Sequence, residues 1–157
     1  MIKNTKYRDM EAILPHKQPM VLVDDVLEYD LEAREATVSV SISDQSLFYD
    51  SEIDGVPVWV GIEYMAQSIG ALAGILSREN GGEPGIAFLL GTRSYNTTIE
   101  RFENGKTYKV HLKENFTDSE LGNYRCEILN KDEVCATAEL NTFKPGDPQA
   151  VLTQMKK

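Results

Sequence analysis

One carboxylate, Glu63, stands in an otherwise uncharged run, VPVWVGIEYMAQSIGALAGIL, at positions 56 to 76. Its neighbours Trp59, Ile62 and Met65 place it at an expected desolvated site. Burial disfavours the ionised form, so it raises a carboxyl pKa and suits the group to donate a proton near neutral pH. The plain alternative is an acidic side chain near the positive end of a helix, an interaction worth about 0.3–1 kcal/mol. Gln67 follows one helical turn later, where an i,i+4 hydrogen bond orients a carboxylate.

The chain has two histidines to weigh beside it. His111 lies in KTYKVHLKEN, in phase with Thr107, Lys109 and Lys113, and so belongs to the solvated face of a strand. His16 sits between Pro15 and Pro19, in a loop that fixes a side chain in place. Its structural reading is a hydrogen-bonded tie for the loop. Cys126 and Cys135 are too few, and too far from either histidine, for a metal cluster. By strand alternation Cys126 shares a face with Tyr124 and Ile128, whereas Cys135 falls out of phase with Val134, Ala136, Ala138 and Leu140. Both are expected to be free thiols.

The elements that must position these groups follow from pattern. YRDMEAIL, residues 7 to 14, reads as a short amphipathic helix stopped by PHKQP. MVLVDDVLEY and AREATVSVSIS read as strands, and residues 43 to 57 as a loop. Pro57 suits the start of a helix, which is expected from near Val58 to about Ser77. Glu63, Gln67, Gly70 and Gly74 form its small, polar stripe, while Ile62, Met65, Ile69, Leu72, Ile75 and Leu76 form its core faces. Two glycines inside a helix cost roughly 1 kcal/mol each relative to alanine, so a sheet, a partner helix or a ligand is expected to approach closely there. RENGGEPG ends the helix, and four antiparallel strands follow: IAFLLGTRSYN, KTYKVHLKEN, NYRCEILN and EVCATAELNTF. The tail from about residue 144 is expected to be peripheral.

The chain of 157 residues, 41% of them hydrophobic, suits one α+β domain in which a curved antiparallel sheet encloses an apolar helix. A formal net charge of -9, with 16 Lys and Arg among 25 acids, argues against nucleic acid. Glu63, Gln67 and Ser68 argue against a membrane span at residues 56 to 76. MIKNTKYRDM lacks a secretion signal, so a cytoplasmic protein is expected.

Two segments then carry a specific likeness. LPHKQPMVLVDDVLEYD supplies Leu14, Pro15, His16, Pro19, Leu22, Val23 and Asp24, and PVWVGIEYMAQSIGALAG supplies Pro57, Glu63, Met65, Ala66 and Gln67. In that order they resemble the FabA/FabZ-type 3-hydroxyacyl-ACP dehydratases of the hot-dog fold. VPVWVGIEYMAQ is similar in particular to the divergent dehydratases of aryl-polyene biosynthesis, the ApeP-like group. FLLGTRSYNTTIERFENGKTY and EVCATAEL resemble later strands of the same family. One motif departs. The family's catalytic histidine stands in G-H-F-P about fourteen residues before the glutamate, where this chain reads SLFYDSEIDGVP and offers Tyr49 or Asp50.

The resemblance implies dehydration of a 3-hydroxyacyl thioester, with Glu63 as acid and His16 as the available base. It also implies backbone N–H groups near Val58 and Trp59 facing the thioester oxygen, and no metal or organic cofactor. It implies an acyl carrier protein as substrate carrier, for which Lys17, Arg93 and Arg101 are docking candidates, and a homodimer or a heterocomplex with a related hot-dog subunit. A hot-dog thioesterase and a non-catalytic subunit of a dehydratase heterodimer are the rival readings.

Overall fold

The computed structural model describes residues 9–14, 17–79, 88–118 and 120–143. Strands β1 (Asp25–Asp30) and β2 (Glu35–Ser41) precede β3 (Gly55–Pro57) and the long helix α1 (Gly61–Glu79). Then come β4 (Phe88–Thr97), β5 (Arg101–Glu103), β6 (Thr107–Asp118), β7 (Leu121–Asn130) and β8 (Glu133–Phe143). Single 3-10 turns cover Met10–Ala12 and Val58–Val60. Six strands form one antiparallel sheet in the order β1-β2-β6-β7-β8-β4, and β3 pairs with β5 in a small second sheet.

The helix forms where the apolar run has helical period, and it is buried because that run has almost no polar face. Met65, Ile69, Leu72 and Ile75 join Val38, Val110, Leu112, Ile128 and Leu140 in a single core. Each such side chain contributes about 1.5–3 kcal/mol on burial. Although the 22 residues Val58–Glu79 are long and apolar enough to cross a membrane, the sheet wraps them as a core helix. This is the hot-dog arrangement, α+β as the patterning predicts.

Four expectations are corrected. The first strand begins at Asp25, not Met20, because the amide of Gln67 takes up the backbone of the preceding residues (below). The loop at 43 to 57 contains β3, and β5 adds a further strand. Cys135 is 2% exposed, whereas Val134, expected inside, is 38% exposed. A bulge explains this: Ile128 pairs with Ala136 and Leu129 with Val134, so Cys135 is the extra residue and its phase is reset. Its thiol donates to the Ile128 carbonyl at 3.3 Å.

The fourth correction concerns the glycine stripe. The close approach to Gly74 comes from the N-terminal segment, since a Cβ there would stand 1.8 Å from the Ile13 carbonyl oxygen. Gly70 faces only the tip of Leu14, at 3.1 Å. The short helix expected at 7 to 14 is, in its described part, this 3-10 turn, with Ile13 and Leu14 buried.

Both cysteines are free, as expected. Burial pushes the Cys126 thiol up to about 12 and raises Cys135 as well. Because the thiolate is the nucleophile, the native protein is expected to resist iodoacetamide at neutral pH, and both thiols to react after unfolding. Rapid labelling of the native state would contradict their placement.

Candidate active site

The helix start is pinned from three sides. The Tyr95 hydroxyl, on β4, donates to the Val58 carbonyl, and burial raises its pKa to about 12. Gly61 lies so close to the Tyr95 hydroxyl and the Phe102 ring that a Cβ would meet them at 2.1 and 2.9 Å. Pro57 pairs with Arg101 across the β3–β5 ladder. Pro57 makes no side-chain cap, so no side chain of the cap residue takes up the first N–H groups of Val58 and Trp59.

Two residues into α1 comes Glu63. It is half-buried in this chain rather than enclosed, because Trp59, expected to cover it, is 59% exposed and stacks edge-on with Phe48 at 5.2 Å. Its Oε1 accepts a hydrogen bond from Gln67 Nε2 at 3.2 Å, the i,i+4 contact that the spacing predicts. Gln67 itself is 1% exposed and does more than the spacing reveals. Nε2 donates to the Met20 carbonyl at 2.7 Å, and Oε1 accepts from the Leu22 N–H at 2.8 Å. The amide thus pairs with residues 20 and 22 as a neighbouring strand would. With Oε1 bound to a donor, its nitrogen must face Met20 and Glu63. Replacing Gln67 by methionine leaves the Leu22 N–H and the Met20 carbonyl without a partner, at a cost of about 1–3 kcal/mol for each buried group. Thermal unfolding measures this, and an unchanged melting temperature would contradict the clasp.

The remaining sequence candidates divide. Tyr49 donates to Asp54 Oδ1 at 2.6 Å, a bond that raises the tyrosine pKa and lowers that of Asp54. Asp50 closes the turn on Gly55 through its backbone, and its carboxylate accepts from Glu52 N–H at 2.9 Å. Both residues are engaged within the 50–55 turn. His16 lies outside the described residues. His111 is on the outer face as expected, 3.7 Å from Glu35 across the β2–β6 ladder. Of the basic candidates, Lys17 reaches back to the Glu11 carbonyl at 3.2 Å and Arg93 is exposed on β4. Only Arg101 is tied to the helix start by register; it pairs with Glu103 at 3.3 Å, and its Nε has no partner among the described residues.

A face of α1 stays half-covered: Ile62, Ala66, Ala73 and Leu76 are neither buried nor fully exposed. Ile62 and Leu76, expected in the core, belong to it. Its small side chains and its position beside Glu63 leave a shallow, apolar track along the helix.

Comparison with known proteins decides the family. The model of the ApeP dehydratase family matches residues 8–153. The chain belongs to the ApeP-like dehydratase family. This ApeP-like chain is 34% identical over 87 residues to the 3-hydroxyacyl-[acyl-carrier-protein] dehydratase FabZ of Chlamydia trachomatis, 54% of this chain and 56% of that protein. It thus spans about half the length of the chlamydial relatives it matches. FabZ of Staphylococcus saprophyticus is 27% identical over 137 residues, 85% of this chain and 91% of that one. Among solved structures, a chain of the dehydratase heterocomplex ApeI:P from Xenorhabdus doucetiae superposes with a TM-score of 0.85 at 26% identity, over 96% of this chain and 99% of its own. The ApeP-like assignment accords with the motif around Glu63 and Gln67, which the structure places together at the helix start.

Proposed function

We propose that the chain dehydrates a 3-hydroxyacyl thioester, carried on an acyl carrier protein, to the trans-2-enoyl thioester, with Glu63 as the acid. The observation that carries this is the Glu63 carboxylate held by Gln67 on the second turn of a helix run whose first N–H groups point toward the same end. In the reaction a base removes the proton next to the thioester carbonyl, and that electron pair forms the new double bond. The hydroxyl leaves as water with the proton from Glu63. Charge that builds on the thioester oxygen is met by the N–H groups of Val58 and Trp59. The base then returns its proton to Glu63 through solvent, so no cofactor enters the balance.

Tyr49 does not replace the missing histidine in this reading. A tyrosine acts as base only when ionised, and its hydroxyl instead donates to Asp54 with a raised pKa. A second copy of the chain would bring the same Tyr49. The base is therefore His16 or a histidine of a related subunit, and the likeness to a chain of a dehydratase heterocomplex favours the second. Edge chemistry supports pairing on one side. β1 carries Asp25, Glu28 and Asp30 along its edge, which discourages pairing, whereas β4 shows Leu89 and Leu90, 40% and 58% exposed. Basic docking of the acidic carrier falls to Arg101 first, with Lys17 and Arg93 beside it.

The test is hydration of a 2-enoyl thioester by the chain, alone and with a related histidine-bearing hot-dog subunit. His16→Ala without effect in the complex supports the subunit-supplied base. A large loss assigns the base to His16, and release of free thiol would replace the whole reading by a thioesterase.

A further inference from the structure

The Val58 carbonyl is served twice. The N–H of Gly61 closes the 3-10 turn on it, and the Tyr95 hydroxyl, arriving from β4, donates to the same oxygen at 2.5 Å. A carbonyl oxygen has two lone pairs and accepts both donors. The turn itself requires only the first.

One cause of the second bond lies in the tyrosine. Tyr95 is half-buried, and a phenol withdrawn from water needs an acceptor. Two observations go further. Reaching Val58 needs a gap in the helix, since a Cβ on Gly61 would stand 2.1 Å from the Tyr95 hydroxyl and 2.9 Å from the Phe102 ring. The residue that opens α1 is therefore the one that admits the hydroxyl, although glycine is a poor helix former. The other observation is which group is held. The peptide unit whose oxygen belongs to Val58 carries its hydrogen on Trp59, four residues before Glu63.

A trans peptide is planar, with its C=O and N–H pointing opposite ways. Tyr95 holds the Val58 oxygen toward β4, so the Trp59 N–H is turned away from that strand. Donors on the carbonyl also draw electron density from the nitrogen, and each bond of such a chain strengthens the next by about 10–30%. The N–H is thus both aimed and made a better donor. Burial pushes the Tyr95 pKa up to about 12, so the phenol keeps its proton and donates throughout the neutral range.

We infer that Tyr95 is a positioning residue for the dehydration, acting through the Val58–Trp59 peptide to aim and strengthen the Trp59 N–H that meets the thioester oxygen. This inference rests on the dehydratase reading. Tyr95 touches neither substrate nor proton donor; charge that builds on the thioester oxygen is stabilised by the N–H, and the N–H by the phenol behind its carbonyl.

Tyr95→Phe, in the chain alone or in its complex, keeps the ring and removes the second donor while the Gly61 bond stays. Hydration of an enoyl N-acetylcysteamine thioester should lose about 3–30-fold in kcat, less than the 10²–10³-fold that follows outright removal of an oxyanion donor, with KM little changed. A role in folding alone would lower the melting temperature and spare kcat per folded molecule. The carbonyl stretch of the same thioester, carbon-13-labelled and bound where Glu63→Gln blocks turnover, reads the N–H directly. Tyr95→Phe should raise that stretch, because a weaker N–H withdraws less from the carbonyl. Tyr95 replaced by 3-fluorotyrosine, a stronger donor of nearly the same shape, should lower it, and this variant carries the test if Tyr95→Phe fails to fold. Unchanged kcat in Tyr95→Phe, or a stretch that responds to neither replacement, would overturn the inference while leaving an active dehydratase. No hydration by the unaltered protein would instead remove the dehydratase reading, and this inference with it.

Discussion

Glu63→Gln is expected to lower hydration of a 2-enoyl thioester by about 10²–10⁴-fold, the contribution of one placed proton donor. The substitution separates chemistry from structure unusually well. A glutamine oxygen at position 63 accepts the same hydrogen bond from Gln67 Nε2, and Glu63 is only half-buried, so fold and clasp are retained. What disappears is the ionisable proton. KM should therefore change little while kcat falls, the pattern of an interaction made only in the transition state. Near wild-type kcat with a stable fold would remove Glu63 from the reaction and leave it as a charge at a helix start.

Gly74→Ala is the largest expected stability effect, and its sign is the opposite of what helix propensity predicts. Alanine is favoured over glycine inside a helix by roughly 1 kcal/mol. Here the new Cβ would lie 1.8 Å from the Ile13 carbonyl oxygen and 2.7 Å from its carbon. That neighbour is backbone, and it cannot withdraw cheaply because Ile13 and Leu14 are buried, at 0% and 1% exposed. Overpacking of this kind costs about 1–3 kcal/mol or more, so the clash wins. A net loss of about 1–2 kcal/mol corresponds to a melting temperature lower by roughly 2–8 °C for a chain of this size. Gly70→Ala is the control, since its Cβ would meet only the end of the Leu14 side chain, at 3.1 Å, a contact that a shift of a few tenths of an ångström relieves. That variant should be close to neutral. A higher melting temperature for Gly74→Ala would show that the N-terminal segment is not seated on the helix.

These two positions also show what was legible in the sequence and why. The stripe of Glu63, Gln67, Gly70 and Gly74 could be read from helical spacing, because residues three and four apart share a face. The identity of the group pressing on Gly74 could not, since the contact with Ile13 joins positions far apart in the chain. The i,i+4 bond between Gln67 and Glu63 is local and was readable; the two bonds from Gln67 to the backbone at residues 20 and 22 are not. Alternation placed Cys126 correctly but failed for Cys135, where one bulged residue reversed the phase of β8. The strands β3 and β5, three residues each, are too short to show any alternation. At the site, the lack of a histidine in the loop before the helix was visible, with Tyr49 or Asp50 in that region; Tyr49 is the one with a bonded hydroxyl. Its engagement with Asp54 was not, because it depends on a turn whose Asp54 takes a positive φ of 48°.

The account makes one claim above the others: Glu63 of this chain donates the proton in a site whose base comes from a related subunit. The most direct measurement is enoyl thioester hydration by the assembled complex, with Glu63→Gln introduced in this chain alone. The account predicts formation of the 3-hydroxyacyl thioester by the unaltered complex and a loss of about 10²-fold or more in the altered one. Full activity in a folded, assembled complex carrying Glu63→Gln would contradict it.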